Sequence, residues 1–327
     1  MYLPTFFPDY PHCKGGNFLI SGNYEPSGRR CVEGMYLEFL KEGHPLFVVH
    51  DQLSDARRIT WFRAALDAGY QVCWFGPGGS SCPDFDVLSA ALSVNEKADL
   101  ACQFLLKKED TACRETAYRY LWNAITAKTA SGEAYTLQDL LNMGVEDVRS
   151  GIAGCSLLSP AQQESELRFL ETRAVYECWG VLNSRAFSLH AGGLLEALSG
   201  LRSAEELFDG KKLILVSKST DEGDTSGIFP RMLNGMLSTA AALCNRRNAA
   251  LQPYHILING TAHIPTATLE RLLQVGAAAT HIGCPLCLHQ SGIGQLLELH
   301  KDSILSHFSA FAVFQTMEGA FCKRYVP

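Results

Sequence analysis

The chain of 327 residues predicts an α/β fold, a parallel sheet sandwiched by helices, with an all-helical domain inserted into it. Three observations predict this. Short, nearly continuous apolar runs alternate with amphipathic stretches near the amino end, the pattern of parallel strands buried on both faces. From about 93 to 206 only helical periodicity is present. Beyond that stretch the strand pattern resumes. The expected organisation is therefore a discontinuous α/β domain over 1–92 and 207–327, and a helical domain over 93–206. At 47% hydrophobic and 19% charged residues, the chain can bury a sizeable core.

The elements follow in order. NFLIS (17–21) reads as a buried strand, and the turn-rich GNYEPSGRR follows it. CVEGMYLEFLKEG (31–43) has helical spacing, with Met35, Leu37, Phe39 and Leu40 placed on or near one face. PLFVVHD (45–51) is a strand, ARRITWFRAALDAGY (56–70) a helix ending at Gly69, and QVCWFGPGG (71–79) a strand stopped by a Pro/Gly turn. The helical stretch includes NEKADLACQFLLKKE, TACRETAYRYLWNAITAKT, TLQDLLNMG, SPAQQESELRFLETRAVYECWGVLNS and GGLLEALSGL. SPAQQ supplies a Ser cap with Gln at the capping-box position, and TLQD supplies Thr followed three residues later by Asp. KKLILVSK (211–218), YHILING (254–260), IGCPLCLHQ (282–290) and AFAVFQT (310–316) are the later strands. Helical patterns at 229–248 and 266–278 lie between them, and IGQLLELH (293–300) and SILSHF (303–308) precede the last strand.

A net charge of -6 and a pI near 5.9 have the wrong sign for a protein that binds nucleic acid with its whole surface. The compact basic candidates are Arg29-Arg30 and Arg246-Arg247. Twelve cysteines spread along the chain, several in apolar runs, read as buried thiols in a reducing compartment. The amino terminus lacks a secretory pattern, and no apolar run approaches the ~20 residues that span a bilayer. A cytoplasmic protein is expected, meeting a membrane only through partners.

Several stretches sit where α/β sheets place chemistry, at strand exits. Gly22-Asn-Tyr-Glu-Pro-Ser27-Gly28-Arg29-Arg30 compares with the phosphate-binding G-x-x-x-x-G-K-[ST] loop. Its second glycine is one residue late, and Arg29 and Arg30 replace the Lys and the hydroxyl. Asp51 and Asp55 follow the second strand; a helix cap by Ser54 or Asp55 is the plainer reading of that turn. Asn259 and Gly260 end the strand HILIN, and the pair favours a turn. Gln290 ends the strand before SGIGQL, and Cys284-Pro-Leu-Cys287 with His281 and His289 reads as packing rather than a zinc site, having no second pair.

The order of these pieces resembles the cytoplasmic motor domain of the type IV secretion coupling proteins, RecA-like, FtsK/HerA-type ATPases of conjugative DNA transfer. The resemblance covers roughly residues 15 to 320. Asp51-Gln-Leu-Ser-Asp55 stands where that family has an Asp-Pro-Lys-Gly-Asp-like sequence, with Leu53 in place of Lys. VCWFGPGG matches the strand and Pro-Gly turn before the family's helical insertion. HQSGIGQL matches its Gln-Ser-x-x-Gln-Leu motif through Gln290, Ser291, Gln295 and Leu296.

The resemblance implies a strand ending in Asp-Glu, the acids that hold Mg²⁺-water, where Asn259-Gly260 stand. The departures thus fall at catalytic positions: Arg29, Arg30, Asn259 and Gly260. A degenerate ATPase relative is expected, with no cofactor, serving as a structural or adaptor subunit beside other secretion-system subunits. Pairing with an active paralogous ATPase, or a homo-oligomer, is the partner arrangement implied; DNA binding is not favoured at this charge. The alternative is an ATP- and Mg²⁺-binding motor with displaced ligands, Gly22, Ser27, Gly28, Arg29 and Arg30 at the phosphates, and Asp51, Asp55 or Glu222 at the metal.

Overall fold

A computed structural model describes residues 17–22, 29–50, 53–76, 79–80, 85–88, 92–107, 110–191, 194–200, 202–203, 206, 210–217, 231, 233–239, 255–259, 269–270, 286–290 and 308–314. The element order begins β1 (Asn17–Gly22), α1 (Arg29–Glu42), β2 (Leu46–His50), α2 (Asp55–Asp67), β3 (Gln71–Gly76), β4 (Gly79–Ser80) and β5 (Phe85–Asp86). Helices follow: α3 (Val94–Leu105), α4 (Thr111–Ser131), α5 (Leu137–Asn142), α6 (Val145–Ala153), α7 (Pro160–Leu170), α8 (Arg173–Ala191) and α9 (Leu194–Ala197). Then come β6 (Arg202–Ser203), β7 (Lys212–Ser217), β8 (His255–Asn259), β9 (Leu286–Gln290) and β10 (Phe308–Phe314). The chain divides into two compact units, one of residues 1–76, 207–223 and 243–327, the other of residues 77–206 and 224–242.

In the first unit the strands lie in the order β10-β1-β9-β8-β2-β7-β3. Every pairing within that order is parallel. Leu46 and Val48 of β2, Leu213 and Leu215 of β7 and Leu257 of β8 turn one face towards α1 and α2 in a single buried cluster. The alternate residues Phe47, Val49, Ile214, Val216, Ile256 and Ile258 are buried as well. A strand covered on both faces has no solvent side to mark with polar residues, which is why these runs read as continuous apolar sequence.

Helix α1 buries Val32, Met35, Tyr36, Phe39 and Leu40, a face repeating at three and four residues. Leu37, expected on or near that face, is 40% exposed, because position 37 falls between those contacts. The helix ends before Gly43, whose φ of +76° suits glycine. Helix α2 stops at Asp67, just short of the expected end at Gly69. Ala68 and Gly69, the latter at φ +80°, turn the chain so that Tyr70 leaves the helix; its hydroxyl donates to the His44 carbonyl at 2.8 Å.

The second unit is mainly helical, α3 to α9 falling where the sequence has helical periodicity, and it also holds the short strands β4, β5 and β6. Capping boxes open α5 through Thr136 and Asp139 and α7 through Ser159 and Gln162, both legible in TLQD and SPAQQ; Ser93 and Glu96 make a third, at α3. The long helical run beginning at SPAQQ breaks at Glu171–Thr172 into α7 and α8. Residues 233–239 are also helical and lie in this unit, where a Cβ on Gly235 would meet the Phe104 ring of α3 at 2.4 Å.

Among the ion pairs that link the described helices, two involve largely buried carboxylates. Glu166 accepts two hydrogen bonds from Arg119 at 2.9 Å and one from the Asn123 amide at 2.8 Å; Asp110 accepts two from Arg185 at 3.0 and 3.2 Å. Burial raises both carboxyl pKa values, but the hydrogen bonds and neighbouring positive charge outweigh it and hold both below their ordinary range. A carboxylate with a lowered folded-state pKa stabilises fully above its unfolded value, and that stabilisation is lost as pH falls through the folded value. Urea unfolding from about pH 5 down to pH 3 is therefore expected to show falling stability. A Glu166→Gln, Asp110→Asn protein should show a flatter profile over that range; an unchanged slope would refute the assignment.

Candidate functional site

Because the paired strands run parallel, their carboxyl ends share one edge of the sheet. Gly22 ends β1, Gln290 ends β9, Asn259 ends β8, His50 ends β2 and Ser217 ends β7. The register sets Ser21 beside Gln290, His289 beside Asn259, Asn259 beside His50, and His50 beside Ser217. From β1 the chain passes to β2, leaving two places that β8 and β9 fill from the far end of the sequence. That crossing brings Asn259 and Gln290 between Gly22 and His50. In open α/β sheets such a carboxyl edge is where ligands bind.

The centre of this edge is a buried polar pair. Asn259, 5% exposed, places its Nδ2 2.8 Å from Nε2 of His50, itself 1% exposed. As drawn, the amide donates and Nε2 accepts; the reverse follows if the amide is turned and the ring takes its other tautomer. Trp61 and the imidazole meet in a T-shaped contact, with ring centroids 5.5 Å apart. Trp61 in turn stacks on Tyr36 at 4.3 Å, and the Tyr36 hydroxyl donates to the Trp61 carbonyl at 2.7 Å. Burial, and secondarily Tyr70 nearby, pushes the Tyr36 pKa up, so this phenol stays a neutral donor. On the far side, Trp74 Nε1 donates to Ser217 Oγ at 2.9 Å, and Gly76 passes so close that a Cβ there would lie 2.8 Å from the Ser217 carbonyl.

This arrangement bears on Mg²⁺ chemistry. Magnesium is held by oxygen ligands, with carboxylates supplying the neutralising charge. The Asn259 amide brings no negative charge, whichever way it is turned, and it is engaged with an imidazole. The described residues at this strand tip therefore do not fit a Mg²⁺ ion.

The other sequence-derived candidates are placed as follows. Gly22 closes β1, and Arg29 and Arg30 open α1. Asp55 opens α2, where its carboxylate pairs with Arg58 at 3.0 Å, and Ser54 occupies the cap position without a side-chain cap bond. Gln290 closes β9 next to β1. Ser27, Gly28, Asp51, Glu222, Gly260, His281 and Cys284 lie outside the described residues; Cys287 and His289 fall within β9. His50 is the site residue that sequence reasoning missed. Its signal was a lone imidazole closing the apolar run LFVV, directly before Asp51.

No protein-family model matches the chain, and no curated protein sequence does. Solved structures do. The bacterial conjugative coupling protein TrwBdeltaN70, in a trigonal form with sulphate, has a TM-score of 0.58 at 13% identity, over 92% of this chain and 69% of that one. VirB4 of Thermoanaerobacter pseudethanolicus has a TM-score of 0.57 at 10% identity, over 92% and 78%. The plasmid coupling protein TrwB in complex with ADP and Mg²⁺ has a TM-score of 0.55 at 13% identity, over 92% and 70%. At these identities what is shared is the fold: the chain has the RecA-like architecture of TrwB and VirB4, the architecture its sequence resembles.

Proposed function

We propose that this chain is a catalytically degenerate relative of the conjugative coupling ATPases, acting by binding as a structural or adaptor subunit of a type IV secretion or conjugative DNA-transfer apparatus. The buried Asn259–His50 pair carries the reading. A motor needs an acid at this strand tip to hold Mg²⁺-water and orient the attacking water, and here an amide is bound into an imidazole. The two parts of the chain flanking the helical segment form, on this reading, one nucleotide-binding-type domain of degenerate chemistry. Other secretion-system subunits, an active paralogue among them, are its expected partners. Membrane association would come through those partners, since among the described residues no helix is long and apolar enough to cross a membrane.

A second reading has its own support. Arg29 and Arg30 open α1, the helix that follows β1 in the chain, and both a helix amino terminus and an arginine are residue-level features that suit an anion. A related TrwB structure holds ADP and Mg²⁺, so that pair is the ligand to test. Turnover of ATP·Mg²⁺ by purified protein is expected to fall far below motor rates of roughly 1–100 s⁻¹, and Asn259→Ala should leave it unchanged. Hydrolysis at motor rates would overturn the degenerate reading. Calorimetric titration separates the rest: micromolar binding without turnover favours the nucleotide-holding subunit, and no heat favours a pure scaffold. Asn259→Ala should nevertheless lower stability by about 1–3 kcal/mol, because it removes a buried hydrogen bond to the His50 imidazole. Chemical denaturation measures that loss.

A further inference from the structure

At the opposite, amino edge of the same sheet sits a second polar group. Helix α1 ends in Glu42, Gly43 turns the chain at φ +76°, and His44 follows just before β2. His255 opens β8, in register with Leu46 of β2, and its backbone N–H donates to the Pro45 carbonyl at 2.9 Å. One ligand atom each from Glu42, His44 and His255 lies within 4.8 Å of the others.

His255 is the unusual member. It is 3% exposed, yet neither ring nitrogen makes a hydrogen bond among the described residues. Nε2 does lie 2.8 Å from Glu42 Oε2, but that contact is misdirected for a hydrogen bond, so proximity alone does not satisfy the ring. The ring plane is held by stacking on Phe39, centroids 4.3 Å apart and 10° from parallel. The His44 ring is tilted against it at 5.5 Å. The Tyr70 hydroxyl, donating to the His44 carbonyl at 2.8 Å, braces the turn that presents His44. Two imidazoles and one carboxylate are thus brought together, His255 buried and fixed, Glu42 at the end of α1 and His44 in the turn that follows it.

We propose that Glu42, His44 and His255 form a site for a zinc-class divalent cation at the amino edge of the sheet. Two nitrogen donors and one carboxylate oxygen suit Zn²⁺, Co²⁺ or Ni²⁺ rather than Mg²⁺ or Ca²⁺. Three protein ligands leave a fourth tetrahedral position for water. Ligand atoms around zinc stand ~3.4 Å apart, so Glu42 and His44 close by rotamer changes while His255 stays in place. Such a cation ties the end of α1 to the start of β8, two segments far apart in sequence, and is independent of the chemistry at the carboxyl edge.

The test uses the full chain, stripped of metal with a chelator. Titration with Co²⁺ followed by visible absorption, and with Zn²⁺ by calorimetry, is expected to show one equivalent bound with the spectrum of a four-coordinate nitrogen–oxygen site. His44→Ala and Glu42→Gln, both at exposed or half-exposed positions, should each weaken binding more than ~10-fold, since losing even an outer-shell partner costs that much. Zn²⁺ should also raise the melting temperature of the parent and not of His44→Ala. An absent cobalt spectrum overturns the site. So do thiolate charge-transfer bands, or an affinity unchanged in both variants.

Discussion

Gly235→Ala is expected to lower the melting temperature, although alanine is ordinarily the better helix residue. A Cβ at 235 would sit 2.4–2.5 Å from three ring carbons of Phe104, which is fully buried in α3. That ring cannot swing away as the end of a flexible chain could. Overpacking of this kind costs about 1–3 kcal/mol, against the roughly 1 kcal/mol that alanine returns in helix propensity. Gly180 is the internal control: it lies in α8 with nothing within 4 Å of an added Cβ, so Gly180→Ala should raise stability by about 1 kcal/mol. Opposite signs for one chemical change would locate the effect in packing. Adding Phe104→Leu to Gly235→Ala should recover part of the loss relative to Phe104→Leu alone. Two shifts of the same sign would show that 235 does not approach α3 as described.

Arg231→Ala is expected to cost more, about 3 kcal/mol or above. Arg231 is 1% exposed. Its guanidinium donates to the Leu105 carbonyl at the end of α3, to the Arg185 carbonyl in α8, each at 3.3 Å, and to Ser188 Oγ at 2.8 Å. Truncation leaves a cavity and removes the donor from a helix-end carbonyl that has no intrahelical partner. Arg231→Met refills most of the volume without the donors and should fall between alanine and the parent. Denaturant midpoints of the three proteins decide the matter; an Arg231→Ala protein within 1 kcal/mol of the parent would mean that this side chain is not a structural tie.

These two residues show where sequence reading reached its limit. FPRMLNGMLSTAAALCNRRN reads as one helix of the α/β domain, because it falls between two strand patterns. Its described part, with Arg231 and Gly235, instead belongs to the helical unit. Periodicity reports that a helix has a buried face; it does not say which partner covers it. Leu37 is a similar case at smaller scale, an apolar residue that falls outside the spacing of its helix's buried face.

What the sequence determined by itself was local and repetitive. Apolar runs such as LFVV and LILV are legible as strands because burial on both faces leaves no polar residue in them. TLQD and SPAQQ are legible as helix starts because a capping box is completed within four residues. Likeness to a motor fold followed from the order of these pieces, and the departures at Arg29, Arg30 and Asn259 could be read directly.

Only the tertiary structure decided which strand tips are neighbours. Asn259 meets His50 across 209 positions of chain, and His255 meets Glu42 and His44 at the other edge. Both meetings follow from the strand order, in which β8 and β9 occupy the gap between β1 and β2. Strand order is set by which faces and edges pack together over the whole sheet, and no window of local sequence contains that information.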